Sequence, residues 1–411
     1  MIDMLALRIP FKDKFVLNRL EGNDLISFID IRRIAEMSGL LLSAYTVEFA
    51  IDGDLTVSGL KHNYESVPTH YAGIACKVFE GGKNFYPCVE IKASPAKVLQ
   101  GHNVFGPVDL ELCSFELLYG LASALPSLFD LLHVPGTVIG RIDATYSAKV
   151  SNEAIAKQVI SFLRNLSNGQ TKRTRAQEFE TTVMWNDNSR HRVLVAYLKH
   201  PELMNQLEKL RSMPSAKRTQ AQTNALAVMS DPELHEFASG LVRFEARLKT
   251  RFLKSFGFPS LLTDAIEFQR NYKSESGCIV YELWKKAFGE LFETFEGSDM
   301  NVYDDDKVLV ELRKSYFSIT PKGNTSYALA DRLFGFYRRL LNEGYDAVQN
   351  SMTKSTFYRQ LNQLCSIGLS KSQLQNLTST RDNVVPLMRI INIDFKNQYP
   401  SWYSVPVSRY A

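Results

Sequence analysis

Three carboxylates, Glu90, Asp143 and Glu245, each lie near the middle of a strand face that is otherwise mostly polar or charged. This follows from the alternation of side chains between the two faces of a strand. Carboxylate oxygens are ligands suited to Mg²⁺ or Mn²⁺, which polarise phosphate groups. The pattern therefore predicts a metal site on the open face of a sheet. Cross-strand ion pairs on a solvated face are the simpler explanation from pattern alone.

Arginines accompany two of these carboxylates in the pattern Arg-x-acid, with Arg141 before Asp143 and Arg243 before Glu245. A guanidinium group can hold phosphate oxygens through two parallel hydrogen bonds, so both arginines are candidate phosphate contacts. His102, in a glycine-bounded turn, is a fourth candidate metal ligand. A single histidine in a turn is more often a hydrogen-bonded structural residue.

Tyr197 lies near the end of a predicted strand, Arg192–Lys199, with basic residues around it. In a nucleic-acid-binding setting, a tyrosine hydroxyl can attack a phosphodiester and hold the cut end covalently. Its ordinary pKa is about 10, so it needs assistance. Lys199 is a candidate to deprotonate the phenol or to bind the attacked phosphate. The chain has 18 tyrosines, and tyrosine favours strands, so the pattern alone does not select Tyr197.

Positive charge is concentrated around this strand. The segment between residues 161 and 220 contains eleven basic and five acidic residues, whereas the net charge of the whole chain is only +4. Such a cluster is typical of contact with a nucleic-acid backbone, although a solvated helix face has the same composition. The candidate DNA contacts in this region are Arg173, Arg175, Arg190 and Arg192.

The elements that must position these residues form a strand-rich first half and a helical second half. Predicted strands at Tyr45–Ile51, Asp54–Leu60, His70–Phe79 and Tyr86–Lys92 precede a helix at Asp109–Leu132. Further strands and helices alternate as far as Lys249. This order predicts an α+β fold, with an antiparallel sheet covered by helices on one face.

We predict three domains: residues 1–255 with the candidate site, a helical connector at 256–299, and a mainly helical C-terminal domain at 300–411. The segment Ser351–Ser370 has a capped start and helical apolar spacing. It resembles the second helix of a helix-turn-helix, with Lys354 and Arg359 as DNA contacts. A plain surface helix explains the same pattern.

Composition excludes several classes of protein. The five cysteines are scattered without a CxxC pair, which argues against a zinc site or a disulfide framework and indicates a reducing cytosol. We also expect no signal peptide and no membrane span, because the longest apolar stretch is interrupted by Pro126 and Asp130.

Several longer motifs together resemble the replication initiators of filamentous bacteriophages, the gene II replication-associated proteins of inoviruses. The resemblance covers essentially the whole chain, and its central motif is highly specific. The segments that carry it are Asp52–Leu60, Asn84–Gly106, Arg141–Thr145, Ser189–Arg192, Val195–His200, Gly240–Arg247 and Phe334–Arg339.

This resemblance implies a rolling-circle initiator that acts in the host bacterial cytoplasm. Such a protein binds the double-stranded viral plus-strand origin and nicks one strand through a covalent 5′-phosphotyrosine, here at Tyr197. It later cleaves and recircularises the displaced single strand. Host replication helicase and polymerase are expected partners, and an oligomer on the origin is a further expectation. A more distant similarity, to rolling-circle Rep nicking enzymes, implies a ferredoxin-like Rep-type antiparallel sheet and a Mg²⁺ or Mn²⁺ ion.

The resemblance also implies a shorter product that starts at Met300, so residues 300–411 form a separate DNA-binding protein in this interpretation. The chain lacks a clear His-hydrophobic-His motif, and the metal ligands therefore stay the four candidates Glu90, Asp143, Glu245 and His102. Two other functions fit the same residues: a DNA-binding replication regulator without catalysis, and a metal-dependent hydrolytic nuclease that leaves no protein on the DNA.

Overall fold

The structure is a computed structural model that describes residues 1–49, 55–150, 152–164, 181–275, 277–292, 305–319, 324–369, 371–375, 377 and 398–410. The candidate DNA contacts Arg173 and Arg175, and Met300, lie outside these residues. The predictions made for them stay predictions.

The described strands are as follows. They are β1 (Ile2–Pro10), β2 (Leu17–Glu21), β3 (Asp24–Phe28), β4 (Ser43–Phe49), β5 (Leu55–Lys61), β6 (Glu65–Pro68), β7 (Gly73–Phe79), β8 (Gly81–Gly82), β9 (Cys88–Ala93), β10 (Val138–Lys149), β11 (Thr182–Trp185), β12 (Arg192–Leu198), β13 (Leu241–Lys249), β14 (Ser318–Ile319) and β15 (Thr325–Ser326).

The described α-helices share the chain with these strands. They are α1 (Ile31–Ser38), α2 (Pro95–Gln100), α3 (Leu110–Ala124), α4 (Pro126–Phe129), α5 (Glu153–Arg164), α6 (Lys199–Ser212), α7 (Gln220–Met229), α8 (Pro232–Ala238), α9 (Thr250–Phe256), α10 (Leu262–Glu275), α11 (Ile279–Phe292), α12 (Asp305–Ser315), α13 (Ala328–Glu343), α14 (Tyr345–Asn350), α15 (Lys354–Cys365) and α16 (Lys371–Gln375).

Eight of the strands form one sheet in the order β11-β12-β13-β10-β1-β9-β7-β6. All seven neighbouring pairs are antiparallel. The predicted α+β class, with a large antiparallel sheet, flanking helices and a helical C-terminal region, is confirmed.

One face of this sheet is apolar and carries the main hydrophobic core. Leu5 on β1, Ile142 on β10 and Phe244 on β13 are fully or almost fully buried there. Helices α3, α5 and α11 pack against this face. Because side chains alternate along each strand, the residues between these apolar positions point to the opposite, polar face.

The predicted helix at Asp109–Leu132 is two helices with a break between them. The Asp109 side chain accepts a hydrogen bond from the Leu112 N–H and so caps α3. Helix α3 ends at Ala124, and α4 begins at Pro126. Proline lacks an amide hydrogen and is favoured in the first turn of a helix, which explains the position of the break.

Helices α6, α7 and α8 form an insertion between β12 and β13. Leu203, Leu207 and Met229 from these helices form a second small core with Val104 and Phe105 from the loop after α2. Helix α6 also contacts β13. This insertion covers one end of the polar face.

The helices after residue 305 have a core of their own. Leu333 and Tyr337 of α13 pack with Phe357 and Leu361 of α15 in that core. The segment Gln398–Tyr410, however, lies on the sheet-containing part of the chain, where the Gln398 amide bonds both the N–H and the C=O of Ser147. The domain limits given above remain predictions.

Candidate active site

Strands β12, β13 and β10 place the predicted nucleophile and two predicted metal ligands on one face. Tyr197 lies opposite Arg243, and Glu245 lies opposite Thr145, two residues from Asp143. Directly opposed residues of antiparallel strands point to the same side, and diagonal neighbours are about 7–8 Å apart. Tyr197, Glu245 and Asp143 therefore form a diagonal row across three adjacent strands.

Asp143 and Glu245 are both almost fully buried, and each is paired with an arginine two residues away on its own strand. Arg141 Nε lies 2.6 Å from Asp143 Oδ1, and Arg247 Nε lies 2.7 Å from Glu245 Oε1. Burial raises the pKa of Asp143 to about 7; Arg141 opposes this shift and Glu245 reinforces it. The ion pairs of these two carboxylates lie within single strands, whereas Glu90 forms a cross-strand pair with Arg8, as the simpler explanation predicts.

The Tyr197 side chain is only 9% exposed. Burial raises its pKa well above the ordinary value, Arg243 opposes the shift, and the negative charge of Glu245 adds to it. The hydroxyl consequently holds its proton more tightly than an exposed tyrosine does. A reaction at Tyr197 needs both access for DNA and stabilisation of the phenolate.

Arg243 was predicted to contact DNA, but the structure places its guanidinium inside the protein. The side chain is 1% exposed and donates hydrogen bonds to the carbonyl oxygens of Asn103 and Val104. It is also the positive group that acts most strongly on Tyr197. Arg243 thus occupies a buried position beside the candidate nucleophile, and its predicted contact with DNA stays a prediction.

Lys199 begins α6 and is completely buried. Its Nζ donates hydrogen bonds to Asn103 Oδ1 at 2.8 Å and to Glu202 Oε2 at 2.5 Å. Burial and then Arg243 lower its pKa to about 8. Glu202 and Asp3, which act on Lys199, both also act electrostatically on Tyr197, so Lys199 belongs to the charge network around the hydroxyl.

Asp3, Asn103 and Glu202 complete this network, and the sequence analysis missed them. Asn103 Nδ2 donates to Asp3 Oδ1 at 2.8 Å while its Oδ1 accepts from Lys199. Burial raises the pKa of Asp3, but Arg243 and Lys199 hold it below the ordinary value. Asn103 lies in the glycine-bounded turn already selected for His102, which was the available signal. Asp3 lies at a register shift of β1, which alternation does not predict.

His102 and Glu90 do not join the two central carboxylates. His102 Nδ1 accepts a hydrogen bond from the Val104 N–H, and burial, Lys199 and Arg243 lower its pKa to about 3. Glu90 lies on β9, beyond β1, and is bound to Arg8 at 2.8 Å. Within the described parts of the chain, no three His, Cys, Asp or Glu side chains are grouped to hold a metal ion.

The remaining predicted DNA contacts occupy different environments. Arg190 is exposed and Arg141 is partly exposed. Arg192 is buried on the apolar side of the sheet, where it pairs with Glu290 of α11 at 2.8 Å. Alternation along β12 puts it on the opposite face from Tyr197, and its predicted contact with DNA stays a prediction. Lys354 and Arg359 are exposed on α15.

A strip of basic and aromatic side chains extends the polar face across β9 and β7. Lys92 Nζ lies 3.7 Å from the centre of the Tyr64 ring, and Lys77 Nζ lies 4.8 Å from that of Phe79. Arg8 continues the strip on β1, opposite Glu90. Alternating cations and aromatic rings are the features that bind the backbone and bases of single-stranded nucleic acid.

Comparison with known proteins defines the class and then the family. Residues 1–275 match the family model for the N-terminal part of a phage replication-associated protein, and residues 319–409 match the model for the C-terminal part of the same protein. Both parts of the chain therefore match one class of protein, which takes part in DNA replication. The chain belongs to the family of replication-associated proteins of filamentous phages, the gene II proteins.

Individual relatives agree with this assignment. The chain is 61% identical to the replication-associated protein of Enterobacteria phage M13 over 411 residues, which is 100% of both chains. It is 59% identical to that of Salmonella phage IKe over 409 residues, covering 99% of this chain and 97% of the relative.

A solved structure, the "Rolling Circle Replication Initiator Protein from Geobacillus stearothermophilus", aligns with 10% identity and a TM-score of 0.24, over 71% of this chain and 95% of that one. Such a weak overlap supports no conclusion.

In the described residues, no helix is long and apolar enough to cross a membrane.

Proposed function

We propose that this replication-associated protein initiates rolling-circle replication by nicking one strand of the viral origin and later rejoining the displaced strand. The observation that carries the proposal is the diagonal row of Tyr197, Glu245 and Asp143 across three adjacent strands. Glu245 is one diagonal step of about 7–8 Å from the candidate nucleophile, and Asp143 is one further step away, so this row supports a site in which the carboxylate pair adjoins the attacked phosphodiester.

In the proposed reaction, Tyr197 Oη attacks the phosphorus and forms a 5′-phosphotyrosine ester, while the 3′ oxygen leaves as a hydroxyl. Arg243 stabilises the phenolate, since it is the group that draws the pKa of Tyr197 down against burial. The ester retains the energy of the broken bond, so the later attack of a 3′-OH on it rejoins the strand. Because Tyr197 is largely covered, DNA binding must expose its hydroxyl further.

The donor set at Asp143 and Glu245 fits a hard divalent cation such as Mg²⁺ or Mn²⁺. Burial of both carboxylates, with the pKa of Asp143 raised to about 7, is a cost that a bound cation would relieve. When bound, such an ion supplies charge stabilisation to the phosphate oxygens. Glu90 and His102 have other partners and are not part of this proposed set.

The DNA partners proposed for this function are the double-stranded origin and the displaced single strand. The basic-aromatic strip on β1, β7 and β9 supports single-strand binding next to the site. Contacts with host helicase and polymerase, an oligomer on the origin, and action in the host cytoplasm belong to the same proposal.

Replacing the nucleophile tests the proposal directly. We expect Tyr197→Phe to abolish the covalent protein–DNA adduct on labelled supercoiled origin DNA, while binding to the origin survives. Tyr146→Phe is the matched control, because Tyr146 is a buried sheet tyrosine that packs on the apolar side against Trp284. Denaturing gels of the reaction measure the adduct.

The same gels separate the alternatives. An adduct that persists in Tyr197→Phe excludes Tyr197 as the nucleophile. Nicked DNA without attached protein in the unmodified enzyme indicates a hydrolytic nuclease. Binding without any Mg²⁺-dependent nick indicates a regulator, a function for which the exposed basic residues of α15 provide separate support.

A further inference from the structure

A cavity of about 340 Å³ adjoins the candidate active site. One wall is the polar sheet face, with Thr145 and Ser147 of β10 and Arg243 of β13. The second wall is the loop that contains Phe105, and the third is the C-terminal segment, through Gln398 and Tyr399. Small-molecule sites span about 300–1,000 Å³, so this volume suits a single nucleotide.

The chemistry of the walls favours a flat, negatively charged ligand. Phe105, Phe237 and Tyr399 supply aromatic surface, while Arg243 and Lys149 supply positive charge, and none of the residues that line the cavity is acidic. Lys149 is exposed, with its Nζ 5.7 Å from the centre of the Phe237 ring. This pair marks the mouth, where a phosphate would meet the cation and a base would stack on the ring.

A buried hydroxyl in the cavity wall has its hydrogen-bonding capacity unused. Thr145 is 2% exposed, and its Oγ1 has no hydrogen-bond partner among the described residues. Leaving such a group unsatisfied is unfavourable, because it has given up its bonds to water. A ligand edge with a donor or an acceptor would satisfy it, and every nucleobase has both.

The cavity also lies beside the proposed nucleophile. Ser147, Arg243 and Tyr197 are directly opposed on β10, β13 and β12. Neighbouring strands are about 4.8 Å apart, so the cavity wall at Ser147 is about 10 Å from the strand of Tyr197. One nucleotide near the scissile phosphate of a single strand spans such a distance.

We propose that this cavity binds one unstacked nucleotide of the DNA strand that Tyr197 attacks. The base packs against the aromatic surface of Phe105, Phe237 and Tyr399 and bonds Thr145 Oγ1, and the phosphate lies at Lys149. The C-terminal segment thereby contributes to recognition at the catalytic face. The inference rests on the proposed nicking function for the identity of the strand.

An abasic scan tests this pocket. The full-length protein binds a series of fluorescent single-stranded origin oligonucleotides in EDTA, each lacking one base near the nick. We expect one position at which loss of the base weakens binding about tenfold. In Thr145→Val or Phe237→Ala, binding of the intact oligonucleotide should fall by a similar factor, and that position should no longer matter.

Thr137→Val is the matched control. Thr137 is a buried threonine outside the cavity whose Oγ1 donates to the Val134 carbonyl at 2.6 Å. Its replacement should lower the melting temperature without changing the abasic profile. Thr145→Val should not lower the melting temperature, because it removes a buried unsatisfied hydroxyl and no hydrogen bond to a described residue. Should Thr145→Val fail to fold, Phe237→Ala provides the same comparison.

A flat abasic profile, in which no single base matters for binding, overturns the proposal. It is also overturned if Thr145→Val and Phe237→Ala both give the same profile as the unmodified protein. If the profile is flat and micromolar free deoxynucleoside monophosphate displaces the oligonucleotide, the cavity is instead a site for soluble nucleotides. The adduct assay is independent. If one position is sensitive but Tyr197→Phe still forms the adduct, the pocket is supported and Tyr197 is rejected as the nucleophile. If the profile is flat but Tyr197→Phe loses the adduct, Tyr197 is supported and the pocket is rejected.

Discussion

The ionisation of the Tyr197 hydroxyl depends on the burial of its side chain and on the charged groups around it. Burial and three carboxylates oppose the phenolate, and Arg243 is the group that favours it. The guanidinium is fixed by the carbonyl oxygens of Asn103 and Val104. The balance of these charges therefore depends on the insertion and on the loop after α2, both of which contact Arg243 or its partners.

The pKa of Asp143 makes a specific prediction about stability. A carboxyl group whose pKa is raised by folding binds its proton more tightly in the folded than in the unfolded protein. The stabilisation is full below about pH 4 and is lost as the pH rises to about 7. Asp143→Asn imitates the protonated form, so its free energy of unfolding should rise relative to the unmodified protein over this range.

The relative gain is at most about 1.4 kcal/mol per pH unit. Urea denaturation of both proteins at several pH values measures it, with the exposed Asp187→Asn as the control that should show no such trend. A difference that stays constant across this pH range would contradict the raised pKa. Addition of Mg²⁺ should stabilise the unmodified protein more than Asp143→Asn if the carboxylate pair holds the ion.

At the scale of elements, alternation predicted the face of its own strand on which each of Tyr197, Asp143 and Glu245 lies, because the period of a strand is local in the sequence. It did not predict which strands are neighbours. The placement of Glu90 beyond β1, and the bonds of Asn103 to Asp3 and Lys199, arise from pairings between residues about 100 positions apart. Such contacts depend on the whole sheet order and have no short-range pattern.

The helix predicted at the end of the chain is confirmed as α15, preceded by α14 and a short turn. Thr353 caps it by accepting from the Thr356 N–H, and Phe357 and Leu361 fix its inner side. We expect Lys354→Ala and Arg359→Ala each to weaken origin binding and to reduce the slope of log affinity against log salt by about one.

Lys314→Ala is the control for these two variants. Lys314 is also exposed, but it lies on α12 and is paired with Glu311 at 2.6 Å. Binding titrations at several salt concentrations give the slopes. Equal slopes for all three variants and the unmodified protein would show that α15 is a surface helix without contact to DNA.

At the scale of the whole molecule, the two ends of the sequence meet at the candidate site. The segment Gln398–Tyr410 follows the helical C-terminal region but packs on the sheet unit, that is, the eight-stranded sheet with the helices that pack against it. Its Gln398 bonds the backbone of Ser147 at the point where β10 extends beyond β1. Ser408 donates to Glu116, a carboxylate that is 1% exposed within α3.

Removal of residues 398–411 should therefore destabilise the part of the chain that contains the large sheet. It would leave the buried Glu116 without its Ser408 bond, and Phe105 without its contacts to Trp402 and Tyr403. Lost bonds and ring contacts of this kind cost about 1 kcal/mol each. A loss of 1 kcal/mol lowers the melting temperature of a domain of 150–250 residues by about 2–4 °C, so we expect these three losses to lower it by up to about 6–12 °C.

Thermal unfolding followed by tryptophan fluorescence measures this change, because Trp185 and Trp284 are fully buried in the sheet unit. Val407→Ser is the control, since Val407 is 78% exposed and its replacement should leave the melting temperature unchanged. If the truncated protein melts like the full chain, the segment contributes no net stability. Its role would then be limited to the wall of the cavity, which the abasic scan of the same truncated protein examines separately.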